Sequence, residues 1–392
     1  MRIAFVTETY PPEINGVAAS AARAIGYLRE RGHEVRVLRP CQDGEDAGAS
    51  PEGPESESGG EWRSSGWPIP MYRNLRFGTA WPATLVAQFR SWHPHVVHVA
   101  TEGPLGWAAV AAARRLGLAT SSDFRTNFHA YSRYYHAGWL APVIERYLRR
   151  FHNRTERCFV ATRQLRRELQ EAGYAHVEVV PRGVDLDLFT PERRDEQLRE
   201  RWSAAGAPVL LYVGRLAAEK NVELALRAYR MARRFVPQAR MVVVGDGPLR
   251  AQLEHRYPDA LFAGMQTGAA LAAHYASADV FLFPSLTDTF GNVTLEALAS
   301  GVPVIAFDCA AASEYVADRL NGRLLMPGDE VGFIRAACLL ACHFGALGRM
   351  RRAARHAALR ADWDSALHRF ERQLYETIDA HRITDSTYAR MA

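Results

Sequence analysis

Short apolar runs alternate with amphipathic helical stretches along nearly the whole chain, and they do so in two separate series. That alternation argues for parallel sheets built from β-α units. The first series has strands expected at Ile3 to Thr7, Glu34 to Leu38, Val96 to Val99, Cys158 to Ala161 and Val177 to Val180, with helices that include Ala18 to Arg31 and Leu105 to Leu116. The second has strands at Val209 to Val213, Met241 to Val244, Ala260 to Phe262, Val280 to Phe283 and Val302 to Ala306. Two successive open α/β halves imply a cleft between them, with ligands gathered at the carboxyl ends of the strands.

At 392 residues, 48% of them hydrophobic, the chain exceeds one ordinary core and suits two domains of about 180 to 200 residues. The first is expected over residues 1–190. The turn Pro181-Arg182-Gly183-Val184-Asp185 then opens into a charged stretch, 191–201. The second domain is expected over 202–365, and 366–392 as a C-terminal helix that packs back on the first. Residues 41–66, rich in Gly, Ser, Glu, Asp and Pro, read as a mobile surface excursion, since the β-α alternation resumes after them.

Five cysteines without a C-x-x-C pair make neither a disulfide framework nor a structural zinc site. No apolar run reaches the ~20 residues of a membrane span, so a cytoplasmic protein is expected. Net charge +5 invites either a nucleic-acid surface or a surface for anionic lipids and nucleotides. Arg146, Arg149, Arg150, Arg154, Arg157, Arg163, Arg166 and Arg167 crowd one helical stretch, and six of the eight tryptophans lie in the first half. A solvated helix face accounts for most of that charge. Basic residues beside interfacial aromatics also fit peripheral contact with an anionic membrane, on the inner face of the plasma membrane.

Among 48 lysines and arginines only Lys220 is a lysine. A chain so biased toward arginine keeps a lysine where a compact ammonium does what a planar guanidinium cannot, or keeps it by chance. Lys220 ends Val213-Gly214-Arg215-Leu216-Ala217-Ala218-Glu219-Lys220, a strand end, a glycine turn and a helix entry, where α/β proteins collect phosphate. The first β-α turn carries Asn15-Gly16, and Gly16 lets the backbone approach a ligand closely, or simply makes the turn.

The densest signal runs from Phe283 to Val304: a strand ending at Pro284, a polar loop with Asp288, and a helix starting near Gly291 that carries Glu296. Two carboxylates at that spacing can hydrogen-bond different parts of a polyol, while the amides of Phe290, Gly291 and Asn292 can bind hydroxyls or phosphate oxygens. Each acid alone could be a charge stabilised by the helix dipole. Asp185-Leu186-Asp187 reads as local packing rather than a metal site, and the spacing of His93, His95 and His98 does not force convergence on an ion.

These motifs resemble the retaining glycosyltransferases of family 4, with the GT-B fold of two Rossmann-like domains facing across a cleft. The likeness also covers Gly32-His33-Glu34-Val35, Thr101-Glu102-Gly103-Pro104-Leu105 and Gly245-Asp246-Gly247-Pro248. Within the family the chain is similar to bacterial lipid-directed α-mannosyltransferases and to sulfoquinovosyl and glucosyl diacylglycerol synthases. The resemblance implies that Arg215 and Lys220 meet the donor diphosphate, that Glu296 holds the ribose, that Gly16 approaches the diphosphate, and that Gly214 lies among the donor-binding residues. It also implies that the amides of Phe290, Gly291 and Asn292 hold hydroxyls and phosphate, with no metal and no other cofactor. Two departures stand out. Asp288 takes the place of a glutamate, one methylene shorter, and Arg125 takes the place of a histidine near the reacting carbon, with His129 as its alternative.

The expected activity is retaining transfer of a hexose, first mannose from GDP-mannose, to a lipid or lipid-linked glycan. UDP-sugar transfer to a glycolipid and nucleotide-sugar epimerisation are the alternatives. A pyridoxal-phosphate phosphorylase would normally be much larger, and no nucleic-acid motif accompanies the basic charge.

Overall fold

The computed structural model describes every residue except 14–15, 43–44, 46–47, 50–59, 70–71, 126–140, 287 and 392. The described residues form two units: Met1 to Val180 with Leu367 onward, and Pro181–Ala366. In the first, β1 (Arg2–Val6), β2 (Glu34–Pro40), β3 (Gly48–Ala49), β4 (Glu61–Ile69), β5 (Tyr72–Thr79), β6 (Val96–Val99), β7 (Ala119–Asp123), β8 (Arg157–Val160) and β9 (Val177–Val179) alternate with α1 (Gly16–Glu30), α2 (Pro82–Trp92), α3 (Pro104–Arg115), α4 (Ala141–His152) and α5 (Arg163–Glu171). The sheet runs β3-β4-β2-β1-β6-β7-β8-β9, with β5 paired to β4. Pairs from β2 through β9 are parallel, and only β3 and β5 pair antiparallel, both against β4. Strands buried on both faces need near-continuous apolar runs, and β1 supplies one, with Ile3, Ala4, Phe5 and Val6 fully buried.

The second unit holds β10 (Val209–Val213), β11 (Arg240–Val244), β12 (Leu261–Gly264), β13 (Val280–Phe283), β14 (Val304–Phe307) and β15 (Gly322–Leu325). Their order is β12-β11-β10-β13-β14-β15, parallel throughout. Around them lie α6 (Glu196–Arg201), α7 (Val222–Phe235), α8 (Arg250–Arg256), α9 (Gly268–Ala276), α10 (Asn292–Ala299), α11 (Ala310–Tyr315), α12 (Glu330–Cys342) and α13 (Gly348–Ala358). The core between sheet and helices includes Tyr212, Leu226, Tyr229, Met241 and Phe333. The final helix, α14 (Trp363–Met391), continues into the first unit. There the imidazole of His33 and the Glu371 carboxylate lie 2.7 Å apart, and Phe370 packs edge-on against His98 and Phe159.

Several features depart from the sequence expectation, the unexpected strands β5 and β15 among them. The first unit ends at Val180 rather than at 190, because Arg355 donates to the carbonyls of Leu186 and Phe189, and Val184 bridges to Asp362. Residues 61–66, expected in a mobile excursion, lie in β4, where Trp62 is buried and Glu61 takes hydrogen bonds from Arg39. β7 was absent from the expected strands since its sequence, Ala-Thr-Ser-Ser-Asp, is polar, yet all five residues are buried.

Candidate active site

In the second sheet the order reverses between β10 and β13: the chain moves outward through β11 and β12 on one side and through β14 and β15 on the other. A reversal of this kind leaves a crevice at the carboxyl ends of the two central strands. The loops leaving β10 and β13 carry the lone lysine and the Asp288 string. Lys220 Nζ donates to Asp288 Oδ1 at 2.5 Å, with both side chains about one-seventh exposed, at 14% and 16%. The second Asp288 oxygen, Oδ2, is buried without a hydrogen-bond partner among the described residues. Asn221, in the left-handed region at φ +51°, starts α7 and sends its side-chain amide to the Pro284 carbonyl at 3.4 Å. Two loops distant in sequence are thereby fastened side by side.

The Gly214 turn is shaped by close backbone approach. A Cβ on Gly245 (φ +130°) would lie 2.0 Å from the Gly214 carbonyl oxygen, so only glycine fits there. The amide of Leu216 donates to the Asp246 carbonyl, and the Tyr212 hydroxyl donates to the Arg215 carbonyl. The Arg215 guanidinium is 39% exposed and stands 3.7 Å from the buried Glu219 carboxylate. Burial, with Asp288 and Glu219 nearby, pushes the Tyr212 phenol well above its usual range.

Gly291 caps α10 with φ +81° and no side-chain cap. The first amides of a helix have no partner within it, so those after Gly291 suit an oxyanion or hydroxyl. Phe290 is buried edge-on to Tyr315, and its carbonyl accepts from the Ala311 amide. One turn into α10, Glu296 accepts from the Tyr275 hydroxyl at 2.8 Å. Burial pushes the Glu296 carboxyl up to about 7, against the lowering influence of that hydrogen bond. Tyr275 escaped the sequence reading, since it sits in an alanine-rich helix with nothing local to mark it.

In the first unit Gly16 is the exposed first residue of α1. Arg125, expected to line the site, is buried after β7, and its guanidinium bonds Asp123, Ser20 and the Val17 carbonyl. His129 lies outside the described residues. Glu8, beyond β1, accepts from the Leu105 amide at 3.1 Å in the first turn of α3. Burial pushes its carboxyl to about 8, with the Leu105 bond opposing and neighbouring Glu102 adding to the rise. Asp185 Oδ1 accepts from the Leu188 amide, a local turn, and His95 and His98 bond the Arg2 amide and Ser121 Oγ respectively. No group of three metal-ligating side chains converges among the described residues.

The family described as "Glycosyltransferase Family 4" matches residues 14–188, and "Glycosyl transferases group 1" matches 207–343. The chain belongs to glycosyltransferase family 4. It is 36% identical to a GDP-mannose-dependent alpha-mannosyltransferase of Mycolicibacterium smegmatis, over 93% of this chain and 94% of that one. It is 27% identical to the sulfoquinovosyl transferase SQD2 of Arabidopsis thaliana, over 95% of this chain and 73% of that one. Among solved structures it resembles sucrose-phosphate synthase of Thermosynechococcus elongatus, with TM-score 0.77, 20% identity, and coverage of 97% and 99% of the two chains. It also resembles HepE of Anabaena in complex with UDP, with TM-score 0.74, 18% identity, and coverage of 96% and 100%. The family 4 enzyme thus has the GT-B fold, with two α/β domains each built on a largely parallel sheet, and is a glycosyltransferase. No helix among its described residues is long and apolar enough to cross a membrane.

Proposed function

We propose that this glycosyltransferase moves mannose from GDP-mannose to a lipid or lipid-linked glycan, with retention and without a metal. The observation that carries the reading is the Lys220 to Asp288 contact at the switch point, which sets a cation and a hydroxyl-binding carboxylate side by side. The similarity to a mycobacterial enzyme named for GDP-mannose supports that donor. Cleavage of a glycosyl phosphate builds negative charge on the leaving diphosphate, and fixed cations stabilise that charge where it develops. Arg215 and Lys220 take this role. The amides of Phe290, Gly291 and Asn292 take the phosphate or sugar hydroxyls, Asp288 Oδ2 accepts from the hexose, and Glu296 holds the ribose. Gly214 and Gly16 admit the diphosphate to the backbone. The acceptor hydroxyl attacks from the face the diphosphate leaves, and a donor phosphate oxygen takes its proton.

The relatives named sulfoquinovosyl transferase and alpha-monoglucosyldiacylglycerol synthase favour a second reading, a glycolipid product, for which a UDP-sugar is the alternative donor. Exposed Trp67 and Trp81, with the exposed arginines of α4, support peripheral contact with an anionic membrane at the cytoplasmic face. Thermal-shift screening against GDP- and UDP-sugars, followed by turnover with lipid extracts, tests these readings. Incubation with donor alone separates transfer from epimerisation. Stabilisation by no nucleotide sugar would overturn the proposal.

A further inference from the structure

We infer that Arg125 is a positioning residue that fixes the first turn of α1, and so the Gly16 backbone, and does not itself touch the donor sugar. The inference rests on the proposed function in one respect, that Gly16 meets the donor diphosphate.

Both edges of the guanidinium are committed. Nε donates to Asp123 Oδ2 at 2.5 Å and Nη2 contacts the same carboxylate oxygen. Nη1 donates to Ser20 Oγ at 2.6 Å and to the Val17 carbonyl at 3.4 Å. Ser20 Oγ in turn donates to that Val17 carbonyl at 3.0 Å, so the arginine grips a closed motif in the first turn of α1. Only 5% of the side chain is exposed.

The backing of this clamp is rigid. Asp123 ends β7, and His98 Nε2 stands 3.6 Å from its carboxylate. His98 is fully buried, shares a hydrogen bond with Ser121, and is packed by the rings of Phe5, Phe159 and Phe370. The interior of the sheet therefore reaches the start of α1 through one planar side chain.

Helix stability alone does not explain a cation in that position. The amino end of a helix is electropositive, and a buried guanidinium beside it opposes the dipole. Asp123 offsets the charge, and the first turn of α1 carries no acidic residue of its own. Such an end is kept in place and kept favourable to an anion, as a diphosphate site requires. A lysine could not do the same, because one ammonium lacks the fork that spans Asp123 and Ser20.

The experiment uses the full chain with Arg125→Gln, Arg125→Lys, Ser20→Ala and the Arg125→Gln/Ser20→Ala double variant. Amide exchange is followed for residues 17–21, and turnover is measured with GDP-mannose and lipid acceptor. Arg125→Gln is expected to speed exchange of these amides and to lower kcat at least about tenfold, a typical cost of misplacing a positioned group. GDP, which carries the diphosphate, should bind more weakly, while guanosine, which lacks it, should bind within about threefold of wild type. Arg125→Lys should not rescue, and the double variant should lose no more than Arg125→Gln alone, as expected of coupled residues. Unchanged exchange in Arg125→Gln would overturn the inference, as would losses that multiply in the double variant. Should Arg125→Gln fail to fold, Ser20→Ala must show the faster exchange by itself. Exchange is read without substrate, so it stands even if the wild-type enzyme turns over no nucleotide sugar, an outcome that would instead sink the proposed function.

Discussion

Removing the lone lysine should separate stability from chemistry. Lys220 Nζ and Asp288 Oδ1 are 2.5 Å apart, with both groups mostly buried. At an effective dielectric near 20 their gross attraction is about 7 kcal/mol. Desolvation of both ions offsets most of it, as for partly buried pairs in general. Truncation in Lys220→Ala, which leaves Asp288 unpaired, should therefore cost about 1 to 3 kcal/mol of stability. For a unit of this size that corresponds to about 2 to 12 °C in Tm. Turnover should fall much further, by about 10² to 10³ in kcat, the usual loss when one stabiliser of developing negative charge is removed. Adding Asp288→Asn removes the stranded carboxylate, so the double variant should recover Tm but not kcat. In Lys220→Arg the charge returns on a planar fork, in a space shaped for a point charge, and activity should remain at least about tenfold down. Melting curves and GDP release at saturating acceptor decide the matter. Lys220→Arg within twofold of wild type would refute the role given to the ammonium, and so would a Lys220→Ala enzyme that loses Tm but keeps kcat.

Two further predictions concern buried carboxyls. Glu296 is pushed up to about 7, and its ionised form accepts best from the Tyr275 hydroxyl and from the ribose hydroxyl proposed for it, so nucleotide affinity should weaken as pH falls through 7. Tyr275→Phe removes the bond that favours the ionised form, and calorimetry should show the midpoint moving to higher pH; an unmoved midpoint would refute this assignment. Glu8, raised to about 8 mainly by burial, contributes stability that is complete below its unfolded pKa near 4.5 and is lost as pH rises through 8. Glu8→Gln should flatten that decline in melts between pH 6 and pH 9, and a decline as steep as in wild type would count against it.

The strands that are buried on both faces were legible because burial demands apolar runs, as at Val209–Val213 and Val280–Phe283. The Asp288 string and Lys220 were legible as strand-end loops opening into helices. Their contact was not, because it spans 68 positions and depends on β10 and β13 becoming neighbours at the sheet reversal. β7 escaped because its polar side chains are satisfied by distant partners, Thr120 by Glu156, Ser121 by His98, and Ser122 by His152 and Thr155. Hydroxyls can be buried once their hydrogen bonds are made, and no local pattern reveals that they will be. The partners of Arg125 were hidden for the same reason: its sequence position suggests a ligand, and nothing local shows that Ser20 and Asp123 accept from its guanidinium.

A common arrangement runs through the cations of both units. Lys220 faces Asp288, Arg215 faces Glu219, and Arg125 faces Asp123. Each positive charge is matched by a carboxylate of its own chain, which holds the side chain in place and limits the charge buried without a partner. In the proposed reaction a ground-state diphosphate must compete with Asp288 and Glu219, so Lys220 and Arg215 add modestly to donor affinity, while Arg125 stays with Asp123. As the glycosyl bond breaks, negative charge grows on the leaving group, and Lys220 and Arg215 gain more from it than from the fixed carboxylates. Stabilisation that rises along the reaction lowers the barrier rather than KM. A lysine suits this exchange better than an arginine. Its ammonium presents three rotatable donors from one point, and can turn from Asp288 toward a phosphate oxygen without giving up a bidentate geometry.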